Sequence, residues 1–194
     1  MKHNTTQRIR CFVAIEIPRS IQERFAQIQD TLKEQISRVS WVKPDNIHLT
    51  LKFIGEVHPN DVRTIEPAIK QVSQRHHPFA LKIGGIGAFP NLKRPRVIWV
   101  GVKVGATEVS VLARAINLEL NRCGYPLDEA AFHPHLTLAR IKDRIDLRPF
   151  VDMFRQYDEI DNASMTVNEI ALIRSQLHPK GAIYTILKSY ALHP

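Results

Sequence analysis

The chain has 194 residues, enough for one good hydrophobic core or for two small lobes that share one. Hydrophobic residues make up 44% and charged residues 24%, an ordinary globular balance, and no apolar run is long enough to span a bilayer. Lys and Arg outnumber Asp and Glu by 27 to 19, and the net charge of +8 points to a polyanionic partner, nucleic acid ahead of membrane.

In chain order, the first predicted strand is Arg10 to Ile17, closed by Pro18. A basic N-terminus precedes it, but the apolar run is short and broken by Glu16, so it does not read as a signal peptide. The expected setting is soluble and cytoplasmic. Ser20 and Glu23 have capping-box spacing, and Ile21, Phe25, Ile28, Leu32 and Ile36 then trace one helical face. Trp41-Val-Lys-Pro44 breaks that helix, and a strand runs from Ile47 to about Gly55. A second helix starts near Pro59 to Asp61, where Pro67 should kink it or delay its start.

Strands over 79–88 and 97–104 flank a loop at 90–95, and a third helix carrying Val109 to Leu120 ends at Gly124. A strand follows from His135 to Ile141, then a short helix near 146–155. Two last strands, 164–174 and 182–190, are joined by His178-Pro-Lys-Gly181 as a hairpin loop. No linker or low-complexity tract divides the chain. The order suits an α+β protein with mainly antiparallel sheets, one domain of two closely packed lobes.

The tetrapeptide His-Leu-Thr-Leu occurs twice, at His48 to Leu51 and at His135 to Leu138. With nine His and nine Thr in the chain, about 0.4 His-x-Thr triplets are expected by chance, so one copy means little and two are uncommon. On a strand, residues i and i+2 share a face, so His48 and Thr50 point one way and Leu49 and Leu51 into the core. His135 and Thr137 repeat the arrangement against Leu136 and Leu138. If the two strands lie side by side about a pseudo-twofold axis, two imidazoles and two hydroxyls converge. One imidazole can then take a proton from water while the other gives one to a departing oxygen, and the hydroxyls can hold phosphate oxygens. The alternative is two unrelated strand-borne histidines.

The chain resembles the two-histidine (2H) phosphoesterases, and among them the RNA 2′,3′-cyclic phosphodiesterase family, also called 2′-5′ RNA ligase-like. The resemblance rests on Arg10-x-Phe12-x-Ala14, on Trp41-Val-Lys-Pro44 leading into His48-Leu-Thr-Leu-Lys-Phe-Ile-Gly55, and on Gly87-Ala-Phe-Pro90. It continues through Arg96-Val-Ile-Trp-Val-Gly101, Phe132-His-Pro-His-Leu-Thr-Leu-Ala-Arg140 and Leu172-x-Arg174 to Gly181-x-x-Tyr184. It implies a bilobal fold, two mainly antiparallel sheets with flanking helices and a cleft between them. It implies His48 as proton donor, His135 as proton acceptor, and Thr50 and Thr137 as phosphate contacts. The implied reaction opens an RNA 2′,3′-cyclic phosphate, or that of a small cyclic nucleotide, to a 2′-phosphate. The alternatives are 2′-5′ ligation and a non-catalytic module that holds RNA ends.

Three further residues are candidates for substrate binding. Lys52 lies two residues beyond Thr50, on the cleft side by alternation, whereas alternation sets Arg140 on the opposite face from Thr137. Phe12 can stack a base, as can Phe89, Trp99 and Phe132, although strand aromatics are usually packed. No cofactor or metal is expected: His133 and His135 have a usable spacing but no acidic or Cys partner pattern, and Cys11 and Cys123 are far apart. His76 and His77 read as surface residues. No membrane contact is expected, and the chain is read as a monomer.

Overall fold

The computed structural model describes residues 8–160, 163–179 and 181–193. The basic residues 1–7 and Lys180 of the expected hairpin loop lie outside this set. Nine strands and four helices are seen among the described residues. They run β1 (Ile9–Glu16), α1 (Arg19–Gln35), β2 (Val39–Trp41), β3 (His48–Val57), α2 (Val62–Ser73), β4 (Phe79–Phe89) and β5 (Val97–Val104), followed by α3 (Ala106–Arg122), β6 (His135–Ile141), α4 (Val151–Arg155), β7 (Ser164–Val167), β8 (Glu169–Gln176) and β9 (Ile183–Ala191).

The apolar faces expected from periodicity are the buried ones. Ile21, Phe25, Ile28 and Leu32 of α1, Ile65, Ile69 and Val72 of α2, and Val109, Leu112, Ile116 and Leu120 of α3 form one core with one face of the sheet. Gly124 ends α3 with a positive φ of 92°, a conformation that costs glycine little, and its N–H donates to the Asn121 carbonyl. The capping box does not form. Pro18 occupies the cap position, its carbonyl accepts from Ile21 and Gln22, and Glu23 pairs with Arg19 instead. Proline suits that place because its ring fixes φ and its missing N–H is not needed there. Helix α2 runs through Pro67 rather than beginning after it, preceded by a 3₁₀ turn at Pro59–Asp61.

All strand pairs are antiparallel, and the strands follow the order β7-β4-β5-β6-β3-β1-β8-β9, with β2 paired to β6. The two expected sheets are therefore two halves of one, joined where β3 meets β6 at the pair Leu49–Leu136. The unit β1-α1-β3 in one half has the same order as β5-α3-β6 in the other. The expected strand over 164–174 is in fact two strands. β7 pairs with β4 at one end of the order, and β8, only Asn168 away, pairs with β1 near the other end. One residue cannot cross a flat sheet of this width at about 3.3–3.6 Å per residue, so the sheet must curl. The helices cover one face of the curled sheet, and the other face is open except for a small cluster of Phe12, Ala14, Ala171 and Ile173. No helix among the described residues is long and apolar enough to cross a membrane.

Candidate active site

The two repeated motifs lie on either side of the β3–β6 seam. Leu49 and Leu51, with Leu136 and Leu138, are 0–3% exposed on the helix-covered side, each contributing about 1.5–3 kcal/mol by burial. His48, Thr50, His135 and Thr137 are half-buried on the open side. Antiparallel register about Leu49–Leu136 sets His48 beside Thr137 and Thr50 beside His135. The structure thus brings together the four residues singled out by the repeat.

The two histidines are held alike. His48 Nδ1 lies 2.8 Å from the carbonyl oxygen of Asn46, and His135 Nδ1 lies 2.7 Å from that of His133. A carbonyl oxygen only accepts, so each Nδ1 carries the proton and donates it. Each Nε2 is then the atom left for proton transfer. The sequence offered no signal for this clasp beyond the shared position two residues upstream. Aromatic walls complete the setting. Phe12 stacks on His48 at 4.7 Å, Tyr184 meets His48 edge-on at 5.2 Å, and Phe89 meets His135 edge-on at 5.0 Å. Phe89 is backed by Trp99, whose ring lies over Gly87, where any Cβ would overlap the indole.

Burial pushes the pKa of both imidazoles below the ordinary histidine value, because a buried imidazolium loses hydration. Hydrogen bonding to the Asn46 and His133 carbonyls opposes the shift. The positive charge of Arg140 adds to it at both rings, and that of His135 at His48. Arg140 also acts on Tyr184, so its charge is felt at both histidines and at the tyrosine.

Arg140 gets there through a β-bulge. Ile98 pairs with Ala139 and Trp99 with Thr137, leaving Leu138 as an extra residue, and alternation reverses beyond it. Ala139 is buried and Arg140 comes out exposed on the open face, not opposite Thr137 as strict alternation requires. The Leu138 carbonyl freed from the ladder accepts from Val42 N–H and from the buried Gln29 amide of α1. A matching bulge in β3 has the reverse effect on Lys52. Val13 pairs with Lys52 and Ala14 with Thr50, so Leu51 is extra and Lys52 turns away from the open face. Its side chain is 2% exposed, with Nζ 2.7 Å from the Pro126 carbonyl and 2.8 Å from Asp128 Oδ1. Lys52 is thus a buried tie to the loop before β6, not a substrate contact. Phe12 is corrected as well: at 0% exposure it supports His48 from beneath and offers no surface to a base. Tyr184 is the residue that sequence reasoning missed as a site member, although it stands in the Gly181-x-x-Tyr184 pattern. Among the described residues no three His, Cys, Asp or Glu side chains are grouped to hold a metal ion.

Beside His135 lies a cavity of about 800 Å³, lined by Leu51, Phe89, Leu118, Leu127 and Phe132 together with Asp128, Glu129 and Arg114. A second cavity, of about 410 Å³, reaches His135 from the β4–β5 side.

The family model for LigT-like phosphoesterases matches the chain twice, over residues 15–99 and 100–184. The chain is 34% identical over 185 residues to the RNA 2′,3′-cyclic phosphodiesterase of Methanothermobacter thermautotrophicus, covering 95% of this chain and 100% of that protein. It is 37% identical over 183 residues to the protein of the same name from Archaeoglobus fulgidus, covering 94% and 99%. The crystal structure of Escherichia coli LigT complexed with 3′-AMP superimposes with a TM-score of 0.77 at 26% identity, covering 97% of this chain and 100% of that one.

Proposed function

Because the chain belongs to the LigT-like phosphoesterase family, we propose that it hydrolyses RNA 2′,3′-cyclic phosphates to 2′-phosphates through His48 and His135. The observation that carries the reading is the paired clasp, which commits both Nδ1 atoms and leaves both Nε2 atoms for proton transfer, on the face that the two histidines share with two threonines and an arginine. Water attacks phosphorus in line with the P–O3′ bond. His135 Nε2 takes the proton of the water as its oxygen bonds to phosphorus, and protonated His48 gives its Nε2 proton to the departing 3′-oxygen. The bond to the 2′-oxygen is kept, so the products are a 2′-phosphate and a free 3′-hydroxyl. Thr50, Thr137 and Arg140 hold the non-bridging oxygens, where negative charge concentrates in the transition state. Phe12 and the Asn46 carbonyl position His48; Phe89 and the His133 carbonyl position His135. The double match to the family model and the repeated strand order also support reading residues 1–194 as one domain of two pseudo-symmetric lobes.

The acid/base pair is complete in itself, so turnover is expected to need no metal. An oligoribonucleotide with a cyclic end should be opened at the same rate with and without EDTA. Loss of activity on chelation, restored by one divalent ion, would overturn the two-histidine mechanism.

The pH profile follows from the depressed histidines. The productive free enzyme has one proton shared between the pair, on His48 and not on His135. That state is most populated between the two pKa values, both of which lie below the ordinary histidine value. The kcat/KM profile should therefore peak below pH ~6.5 and fall as pH rises through the His48 pKa. A bound phosphate anion favours imidazolium, so the kcat profile should peak at higher pH than the kcat/KM profile. A kcat/KM optimum above pH 7.5 would contradict this assignment.

A further inference from the structure

We propose that the two loops at the Arg140 end of the seam, residues 91–96 and 142–146, form the docking surface for single-stranded RNA lying 5′ of the reacting nucleotide. This rests on the proposed roles of His48 and His135. If His48 protonates the 3′-oxygen, the ribose and the chain upstream of it lie at the His48 end of the seam, and water arrives at the His135 end. The register settles what stands at each end. β6 runs from His135 past Thr137, which is beside His48, and on to Arg140 and Ile141. With Leu138 bulged out of the ladder, Thr137 to Ile141 advances three steps, about 10 Å at 3.3 Å per residue, so the loops begin within about two nucleotides of the site.

Five cations stand there: Lys93, Arg94 and Arg96 on one loop, Lys142 and Arg144 on the other, all exposed. The loops are tied together by Ile141 N–H to the Arg96 carbonyl at 2.9 Å, Leu147 N–H to the Leu92 carbonyl at 2.8 Å, and Arg96 Nη1 to the Lys142 carbonyl at 3.2 Å. Asn91 Oδ1 accepts from the backbone N–H groups of both Lys93 and Arg94 at 3.0 Å, which fixes the turn that presents them. The loops bound a cavity of about 420 Å³. Of the two acids on these loops, Asp143 and Asp146, the second is already paired with Arg148 and is also felt by Lys93, and among the described residues none of the five cations forms an ion pair within 4.0 Å. The opposite end differs in chemistry. Its cavity is lined by Leu118, Leu127 and Phe132, with Arg114 beside Glu129 and with Asp128 already paired to Lys52, a mainly apolar surface with no excess of positive charge to hold a polyanion. The polyphosphate chain therefore follows the open face from Arg140 onto the basic loops, which also accounts for part of the excess positive charge.

The test compares Arg94→Glu/Arg144→Glu with wild type on two substrates, adenosine 2′,3′-cyclic phosphate and a decaribonucleotide ending in a 2′,3′-cyclic phosphate. KM for the decamer should rise at least tenfold more than KM for the mononucleotide. The slope of log KM against log salt for the decamer should fall by about 0.7 for each phosphate that the variant no longer neutralises. A charge-matched control on the helix-covered side, Arg63→Glu/Arg75→Glu, should raise the decamer KM far less. Equal effects on both substrates, an unaltered salt slope, or an equal effect of the control pair would each overturn the proposal. Wild-type turnover of the mononucleotide reports on the catalytic reading separately. Should that turnover be absent, anisotropy of a labelled decamer ending in a 2′-phosphate reads the surface directly, with the same comparison between the two variant pairs.

Discussion

His48→Ala and His135→Ala should each lower kcat on a cyclic-ended oligoribonucleotide by about 10²–10⁴-fold, the range of a positioned general acid or base. The two losses should differ in how they are rescued. A departing alkoxide needs a proton, whereas a thiolate, with thiol pKa values near 8 to 9, does not. A substrate with sulfur in place of the 3′-bridging oxygen should return much of the lost rate to His48→Ala. It should do little for His135→Ala, which still lacks a base for water. Rescue of His135→Ala instead would mean that the roles are exchanged, and rescue of neither would count against an acid/base division. The Nδ1 clasps make the test clean, because each ring is held by its own carbonyl and removing one leaves the other in place.

Arg140→Ala should lower kcat/KM by about 10²–10³-fold, as expected for removing a charged donor from a developing phosphoryl charge. Arg140→Lys should recover only part of this, because a lysine cannot offer the two parallel N–H groups of a guanidinium. A second readout separates this role from a merely structural one. The guanidinium charge lowers the pKa of both histidines, so its removal should move the kcat/KM optimum to higher pH. A pH profile unmoved in Arg140→Ala would mean that the guanidinium does not sit among the imidazoles.

Much of this site was legible in the sequence, and the reasons are physical. Alternation over two residues fixes which face a side chain takes, so the two His-Leu-Thr-Leu segments yielded both the buried leucines and the cleft-facing His and Thr. The same rule failed two or three residues further on. One extra residue in a strand reverses the alternation, and nothing local in Leu-Lys-Phe or Leu-Ala-Arg marks the bulge. Lys52 and Arg140 consequently exchange the faces that alternation gives them. The bulges are specified from a distance, by Gln29 of α1 at Leu138 and by Pro126 and Asp128 at Lys52. Phe12 is a different case. Its strand and its face follow from the pattern, but its burial depends on Phe53, Tyr184 and His48 closing over it from other strands. The split at Asn168 was also out of reach, since the polar pair Asn168-Glu169 is too short to mark a change of strand and only the curl of the sheet divides β7 and β8 between its two ends.

In the proposed reaction a single product forms because the 3′-oxygen, not the 2′-oxygen, leaves from the His48 side. Phosphorus NMR of adenosine 2′,3′-cyclic phosphate as the enzyme opens it distinguishes the two outcomes. It should show adenosine 2′-phosphate alone, formed by wild type and not by His48→Ala/His135→Ala. Adenosine 3′-phosphate as the main product, or turnover that survives in the double variant, would contradict this chemistry.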